Sequence, residues 1–191
     1  MNAILSRLID KCIRHGIIKD QETDVYRYGF DLLVFSLINI ILLVFVGLAV
    51  NRAGSVALIH LGYIPLKSMG GGYHADTHLR CMLLMLFDMG IALFAVEFAN
   101  RNLLIAGACI GIIIIFLLAP VQHPSAPFGI NFAKRMKGLV RVYSTIIFVA
   151  MFFSMKEYKT VSSCMATSII LSSFSVCGAM IKSKCIQNKS L

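Results

Sequence analysis

Charged side chains are scarce in this chain of 191 residues. Only 14% of the residues are Asp, Glu, Lys or Arg, and nine are acidic, whereas 58% are hydrophobic. Soluble domains carry about a quarter charged residues. The composition therefore excludes an ordinary soluble protein and predicts an integral membrane protein.

Several other sequence features are missing. A cleavable signal peptide is not expected, because the first twenty residues carry charge throughout and have no continuous apolar core. Without a repeat, a low-complexity tract or a linker, residues 1–191 are interpreted as one integral-membrane domain. The cysteines are scattered, several of them within apolar runs, so they do not indicate a disulfide framework. They are Cys12, Cys81, Cys109, Cys164, Cys177 and Cys185.

The net charge of +9 does not indicate a nucleic-acid partner. The basic residues fall between apolar runs rather than on one soluble face, which is typical of membrane topology and of contact with anionic lipid. The lipid bilayer is therefore the expected partner.

Periodicity and apolar runs predict an all-α, polytopic fold. Residues 1–20 are interpreted as an amphipathic interfacial helix, residues 30–181 as about six transmembrane helices, and residues 182–191 as a basic cytoplasmic tail. Two of the apolar segments are short for a span of about 20 residues. One of these contains Gly62 and Pro65, which favour a break or a re-entrant segment. The segments lie near 30–50, 53–67, 79–98, 103–119, 142–155 and 160–181.

The distribution of basic residues predicts the orientation. If all six segments cross, one side receives fourteen of the eighteen Lys and Arg residues and the other receives four. The positive-inside rule then places both termini and the Gly70–Arg80 loop in the cytoplasm of a multi-pass protein of the cell membrane.

The polar, glycine-rich stretch Gly70–Cys81 is the candidate functional site. A histidine beside the Cys81 sulfur could take its proton and later protonate a leaving amine, as in thiol catalysis. His74 stands seven residues before Cys81, so on a helix it would be about 10 Å away and would have to fold back. The glycines permit such a reversal. His78 is the easier partner on a regular helix, and the residues alone leave both histidines open.

Two other interpretations compete with thiol catalysis. His74, His78 and Cys81 could bind zinc, although Ala75 stands where the glutamate of an HExxH site would be. The cluster could also line the pathway of a small peptide or ion transporter. Asp88, two helical turns after Cys81, is expected to hydrogen-bond between helices or, alternatively, to orient a histidine.

The pattern of this stretch resembles the signature of the AgrB (accessory gene regulator B) family, membrane cysteine endopeptidases that process quorum-sensing propeptides. A later motif of the family contains two prolines, which are Pro120 and Pro127 in this chain. In the family a basic residue commonly precedes the second proline, whereas this chain has Ala126 at that position. The residues that carry the resemblance are Gly71-Gly72-Tyr73-His74-Ala75 with Cys81, Tyr28-Gly29, Ala119-Pro120-Val121, Pro127 and the basic loop Lys134-Arg135-Met136-Lys137.

The resemblance implies that Cys81 is the nucleophile and that His74 is its base, with no cofactor and no metal. It implies a short propeptide substrate with an amphipathic leader, a central signal segment and an acidic tail. Cys81 would release the tail and form an acyl-enzyme thioester, which a cysteine or serine of the peptide would convert into a thiolactone or lactone. The family also implies a homodimer. The basic run Lys134–Arg141 is interpreted as a topology signal or, alternatively, as a docking surface for the acidic tail.

Overall fold

The computed structural model describes residues 23–73, 75, 77–121 and 130–189, and in this part of the chain the only regular elements are six α-helices. The predicted all-α class is therefore confirmed. The amphipathic helix expected over residues 1–20 lies outside the described residues. The helices are α1 (Thr23–Ala49), α2 (Ala53–Gly70), α3 (His78–Phe98), α4 (Arg101–Leu118), α5 (Ile130–Ser154) and α6 (Lys159–Lys189).

The chain divides into two compact units, residues 1–46 and residues 47–191. In the first unit, the described side chains of α1 are mostly apolar and many are exposed, among them Leu37, Ile41 and Phe45. Exposed apolar side chains on a helix of this composition are typical of a lipid-facing surface.

Among the described residues, four helices are long enough and apolar enough to cross a membrane: α3, α4, α5 and α6. The segment predicted at 142–155 belongs to α5, which begins twelve residues earlier, at Ile130. The basic run Lys134–Arg141, expected to be partly a loop, is therefore helical. α2 has 18 residues and is not among the four, because His60 and Lys67 reduce its apolar character.

The break predicted in α2 is wrong, since the helix continues through Gly62 and Pro65 to Gly70. Proline has no N–H, so Pro65 leaves the carbonyl of Leu61 without its helical partner. The hydroxyl of Tyr143 on α5 donates to that carbonyl. A neighbouring helix thus satisfies the backbone group that proline frees, which is how membrane helices tolerate proline.

α6 is the centre of the second unit and packs against α2, α3, α4 and α5. Its buried face is rich in hydroxyl side chains, which mostly donate to carbonyls of their own helix, as Ser172 does to the Ser168 carbonyl. Ser168 also donates to the Ile59 carbonyl of α2 at 3.0 Å. Small residues let helix backbones approach closely in a membrane, where packing and hydrogen bonds hold helices together.

The crossing of α2 and α6 depends on Gly62. A Cβ at this position would lie 2.6 Å from the Cβ of Ser168. Gly62→Ala is therefore expected to force the two helices apart and to lower the free energy of unfolding by about 1–3 kcal/mol. Thermal unfolding of the purified protein in detergent measures this loss. Gly54→Ala, on the same helix with nothing within 4 Å, is the control, and equal midpoints for the two variants would contradict the packing argument.

Two arginines stabilise helix ends. Pro120 cannot donate to the carbonyl of Phe116 at the end of α4, and Arg141 Nη2 donates to it instead at 3.1 Å. Arg101 Nη1 donates at 2.8 Å to the carbonyl of Met155, just after α5. Basic side chains at the last carbonyls of a helix offset its dipole. Arg141, the last basic residue of the Lys134–Arg141 run, therefore has a structural role at the end of α4.

Candidate active site

The chain turns at Gly71, where α2 ends. Gly71 has φ 67° and ψ 43°, in the left-handed region that favours glycine. The N–H of Gly72 donates to the Lys67 carbonyl at 2.8 Å, as in a Schellman helix ending. A Cβ on Gly71 would lie 2.0 Å from the carbonyl oxygen of Val121, and Val121 N–H donates to the Gly70 carbonyl at 3.0 Å. The glycine stretch therefore forms a turn that is held against the segment after α4.

The segment after the turn is attached to α6. The N–H of Tyr73 lies 3.0 Å from both the carbonyl oxygen and the hydroxyl of Ser175. The Tyr73 ring faces Gly178, and Lys182 Nζ lies 5.2 Å from the ring centroid. No sequence signal indicated this attachment, since Ser175 and Tyr73 are 102 positions apart.

Cys81 lies in the first turn of α3 and is half-buried. Thr77 caps the helix in an extended conformation, and its hydroxyl accepts from the N–H of Arg80 at 3.3 Å. The sulfur is thus placed near the positive end of the helix dipole.

The start of α3 at His78 bears on the choice between the histidines. The helix that carries Cys81 begins at His78, and Thr77 before it is extended, so His74 is not part of this helix. His74 itself, Asp76 and the side chain of His78 lie outside the described residues. The pairing of His74 with Cys81 therefore stays a prediction. Within the described residues no three His, Cys, Asp or Glu side chains are grouped as metal ligands.

A buried polar pair connects α2 to α3 beside Cys81. Tyr63 is 2% exposed and its hydroxyl donates to Asp88 Oδ2 at 2.8 Å. The hydroxyl of Ser175 on α6 also lies close to the Tyr63 hydroxyl, and the thiol of Cys81 is near this pair. Asp88 thus makes the hydrogen bond between helices that its position predicts. Tyr63 was not identified from the sequence, because nothing in its local pattern distinguishes it from a core aromatic residue.

These segments meet at one end of the second unit. A Cβ on Gly70 would have Val176, Val140 and Ala119 as its nearest neighbours, on α6, on α5 and just after α4. The basic residues at the start of α5 are at this same end, and their side chains at 134, 135 and 137 are exposed. The end that carries Cys81 is therefore strongly basic.

This combination defines a polytopic membrane protein whose described elements are all helical, with a half-buried cysteine at the start of a helix that packs against α2 and α6. Residues 3–176 match the AgrB family, accessory gene regulator B, and the chain belongs to that family. The family is associated with the processing of quorum-sensing propeptides, so the protein has a peptidase role in autoinducer processing. No curated protein and no solved structure matches the chain.

Proposed function

We propose that this protein is a membrane cysteine endopeptidase that removes the acidic tail of a short propeptide and promotes cyclisation of the remainder. One observation supports this most directly. Cys81 is half-buried at the start of α3, beside the segment that the Gly71 turn and Ser175 hold in place. His74 follows Tyr73 directly in this segment and is proposed as the base.

In the proposed reaction, the Cys81 sulfur attacks the carbonyl carbon at the boundary between the signal segment and the tail. His74 takes the thiol proton and transfers it to the leaving amine, so the tail departs and a thioester remains on Cys81. A thiol or hydroxyl within the peptide then attacks the thioester carbonyl and closes a thiolactone or lactone ring. The Cys81 sulfur leaves and regains a proton. Water must be excluded during the second step, because hydrolysis would yield a linear product.

Charge supports the proposed substrate. Lys134, Arg135 and Lys137 are exposed on the first turns of α5 at the end that carries Cys81. An acidic tail would be attracted to this surface, which would orient the peptide before cleavage. The excess of basic residues at this end also supports a cytoplasmic location for the site. A homodimer in the membrane is part of the same proposal.

The histidine pair tests the mechanism. Purified protein in detergent micelles is mixed with a synthetic propeptide that has an amphipathic leader, a central segment with a cysteine or serine, and an acidic tail, and release of the tail is followed by mass spectrometry. We expect His74→Ala to lower the cleavage rate by at least about 100-fold, because the thiol loses its general base. His78→Ala, the matched control in the same stretch, is expected to stay within about threefold of the unsubstituted protein.

The same assay separates the competing functions. Micelles have no second compartment, so a transporter would produce no cleaved tail in this experiment. A zinc site would lose activity on chelation and on His78→Ala. Loss of cleavage with His78→Ala, combined with retention in His74→Ala, would show that the assignment of the base is wrong.

A further inference from the structure

We infer that Tyr63, Asp88 and Ser175 are positioning residues that hold the segment entering the site at a fixed distance from Cys81. This inference rests on the proposed function, in which Cys81 is the nucleophile and the residue after Tyr73 is its base. None of the three side chains is assigned to contact the substrate. They act on the backbone that joins the Gly71 turn to α3.

The contacts of these residues form a chain from the loop to α3. The Tyr73 N–H donates to the Ser175 hydroxyl at 3.0 Å, and the Ser175 hydroxyl lies close to the hydroxyl of Tyr63. Tyr63 in turn donates to Asp88 at 2.8 Å. The chain therefore runs from the backbone of the loop, through α6 and α2, to a carboxylate on the helix that carries Cys81.

Both ends of this chain are fixed. At the loop end, Gly72 is so close to α6 that a Cβ there would lie 2.6 Å from the Ser175 hydroxyl oxygen. At the other end, Asp88 follows Cys81 by seven residues, which is two turns on the same face of α3. A displacement of the loop relative to Cys81 is therefore expected to disrupt one of these contacts or to bend α3.

The bond pattern favours positioning over a direct catalytic role for Tyr63. A phenol has one proton, and that proton is donated to Asp88. It is therefore not available for donation to an oxyanion on the substrate. Tyr63 is also 2% exposed, which leaves little surface for a peptide to contact.

The protein offers matched control substitutions for Tyr63, Ser175 and Asp88. Tyr143 also donates its hydroxyl to α2, at the Leu61 carbonyl, and Tyr143→Phe removes a bond between helices without touching the loop. Ser172 is a buried serine of α6 whose hydroxyl bonds within its own helix, which makes Ser172→Ala the control for Ser175→Ala. Asp88→Asn retains an oxygen that can accept from Tyr63, whereas Asp88→Leu does not.

The experiment measures kcat and KM for tail cleavage in micelles, with each rate normalised to folded protein. Tyr63→Phe and Asp88→Leu are expected to lower kcat about 10- to 100-fold while KM changes less than about threefold, because a misplaced base slows chemistry more than binding. Ser175→Ala is expected to lower kcat about tenfold, since the Ser175 carbonyl still accepts from Tyr73. Asp88→Asn, Tyr143→Phe and Ser172→Ala are expected to stay within about fivefold of the unsubstituted kcat.

Two results would overturn the inference. One is a kcat for Tyr63→Phe equal to that of Tyr143→Phe, which would make the bond ordinary helix packing. The other is an equal loss in Asp88→Asn and Asp88→Leu, which would mean that the charge and not the hydrogen bond matters. Cys81→Ala is included in the same series. Cleavage that survives in Cys81→Ala would instead refute the proposed function, so the two failures are distinguishable.

Discussion

Cys81→Ala is expected to lower tail cleavage by at least about 1,000-fold, to the background of the assay. The proposed reaction passes through a covalent bond to this sulfur, and alanine has no group that could form it. The half-buried position of Cys81 at the start of α3 leaves room for alanine, so the protein should still reach the membrane at the unsubstituted level. Mass spectrometry of the tail and quantification of the membrane fraction measure the two quantities together.

A second cysteine provides the control for this substitution. Cys109 is also half-buried but lies within α4, away from the Gly71 turn. Cys109→Ala should retain cleavage. It should also still form the thioester with the peptide, which hydroxylamine cleaves, whereas Cys81→Ala should form no such thioester. Cleavage that persists without Cys81 would remove the thiol mechanism altogether.

Gly71→Ala is expected to have the second largest effect, on both stability and activity. Holding the backbone of a residue with a Cβ in the left-handed conformation lowers stability by roughly 1–2 kcal/mol. The added Cβ would also lie 2.0 Å from the carbonyl oxygen of Val121, a backbone atom that cannot rotate away. Relief would require the loss of the Val121 N–H bond to Gly70. We expect a loss of about 2–4 kcal/mol of stability and of most cleavage activity.

Gly90→Ala separates this effect from the general consequence of replacing glycine. Gly90 is an exposed position within α3, the helix of Cys81, and an added Cβ there meets nothing within 4 Å. Alanine favours a helix over glycine by about 1 kcal/mol, so this variant should be neutral or slightly more stable. Thermal unfolding in detergent and the cleavage assay are the measurements. Equal behaviour of the two variants would show that the left-handed turn is not required.

Apolar runs predicted the six described helices of this protein but missed the ends of the last two. The run at 142–155 marks only part of α5, which starts at Ile130, and the run at 160–181 marks only part of α6, which continues to Lys189. The reason is physical. An apolar run marks only the part of a helix that lies in hydrocarbon. Charged residues such as Lys134 are good helix formers outside the hydrocarbon, so the helix continues beyond the apolar run.

Local backbone requirements were also predictable, and long-range contacts were not. The turn at Gly71 follows from the conformational freedom of glycine and was expected. The continuity of α2 through Pro65 was not, because it depends on a hydroxyl at Tyr143, 82 positions away from the carbonyl that it satisfies. The contacts of Tyr63 and Ser175 could not be predicted from the sequence for the same reason. Their significance comes from partners on other helices, which periodicity within one segment does not reveal.

The length of α6 sets the depth of the site in the bilayer. Lys159 and Lys182 are 23 positions apart on this helix, about 34 Å at a rise of roughly 1.5 Å per residue. That distance is close to the thickness of the hydrocarbon core, about 30 Å, so the two ammonium groups can each reach a headgroup layer. Ser175 is then about 10 Å below Lys182, which is about 8 Å inside the hydrocarbon core. A peptide held beside Ser175 would meet little water at its reacting carbonyl, while a charged tail could remain in the aqueous layer above.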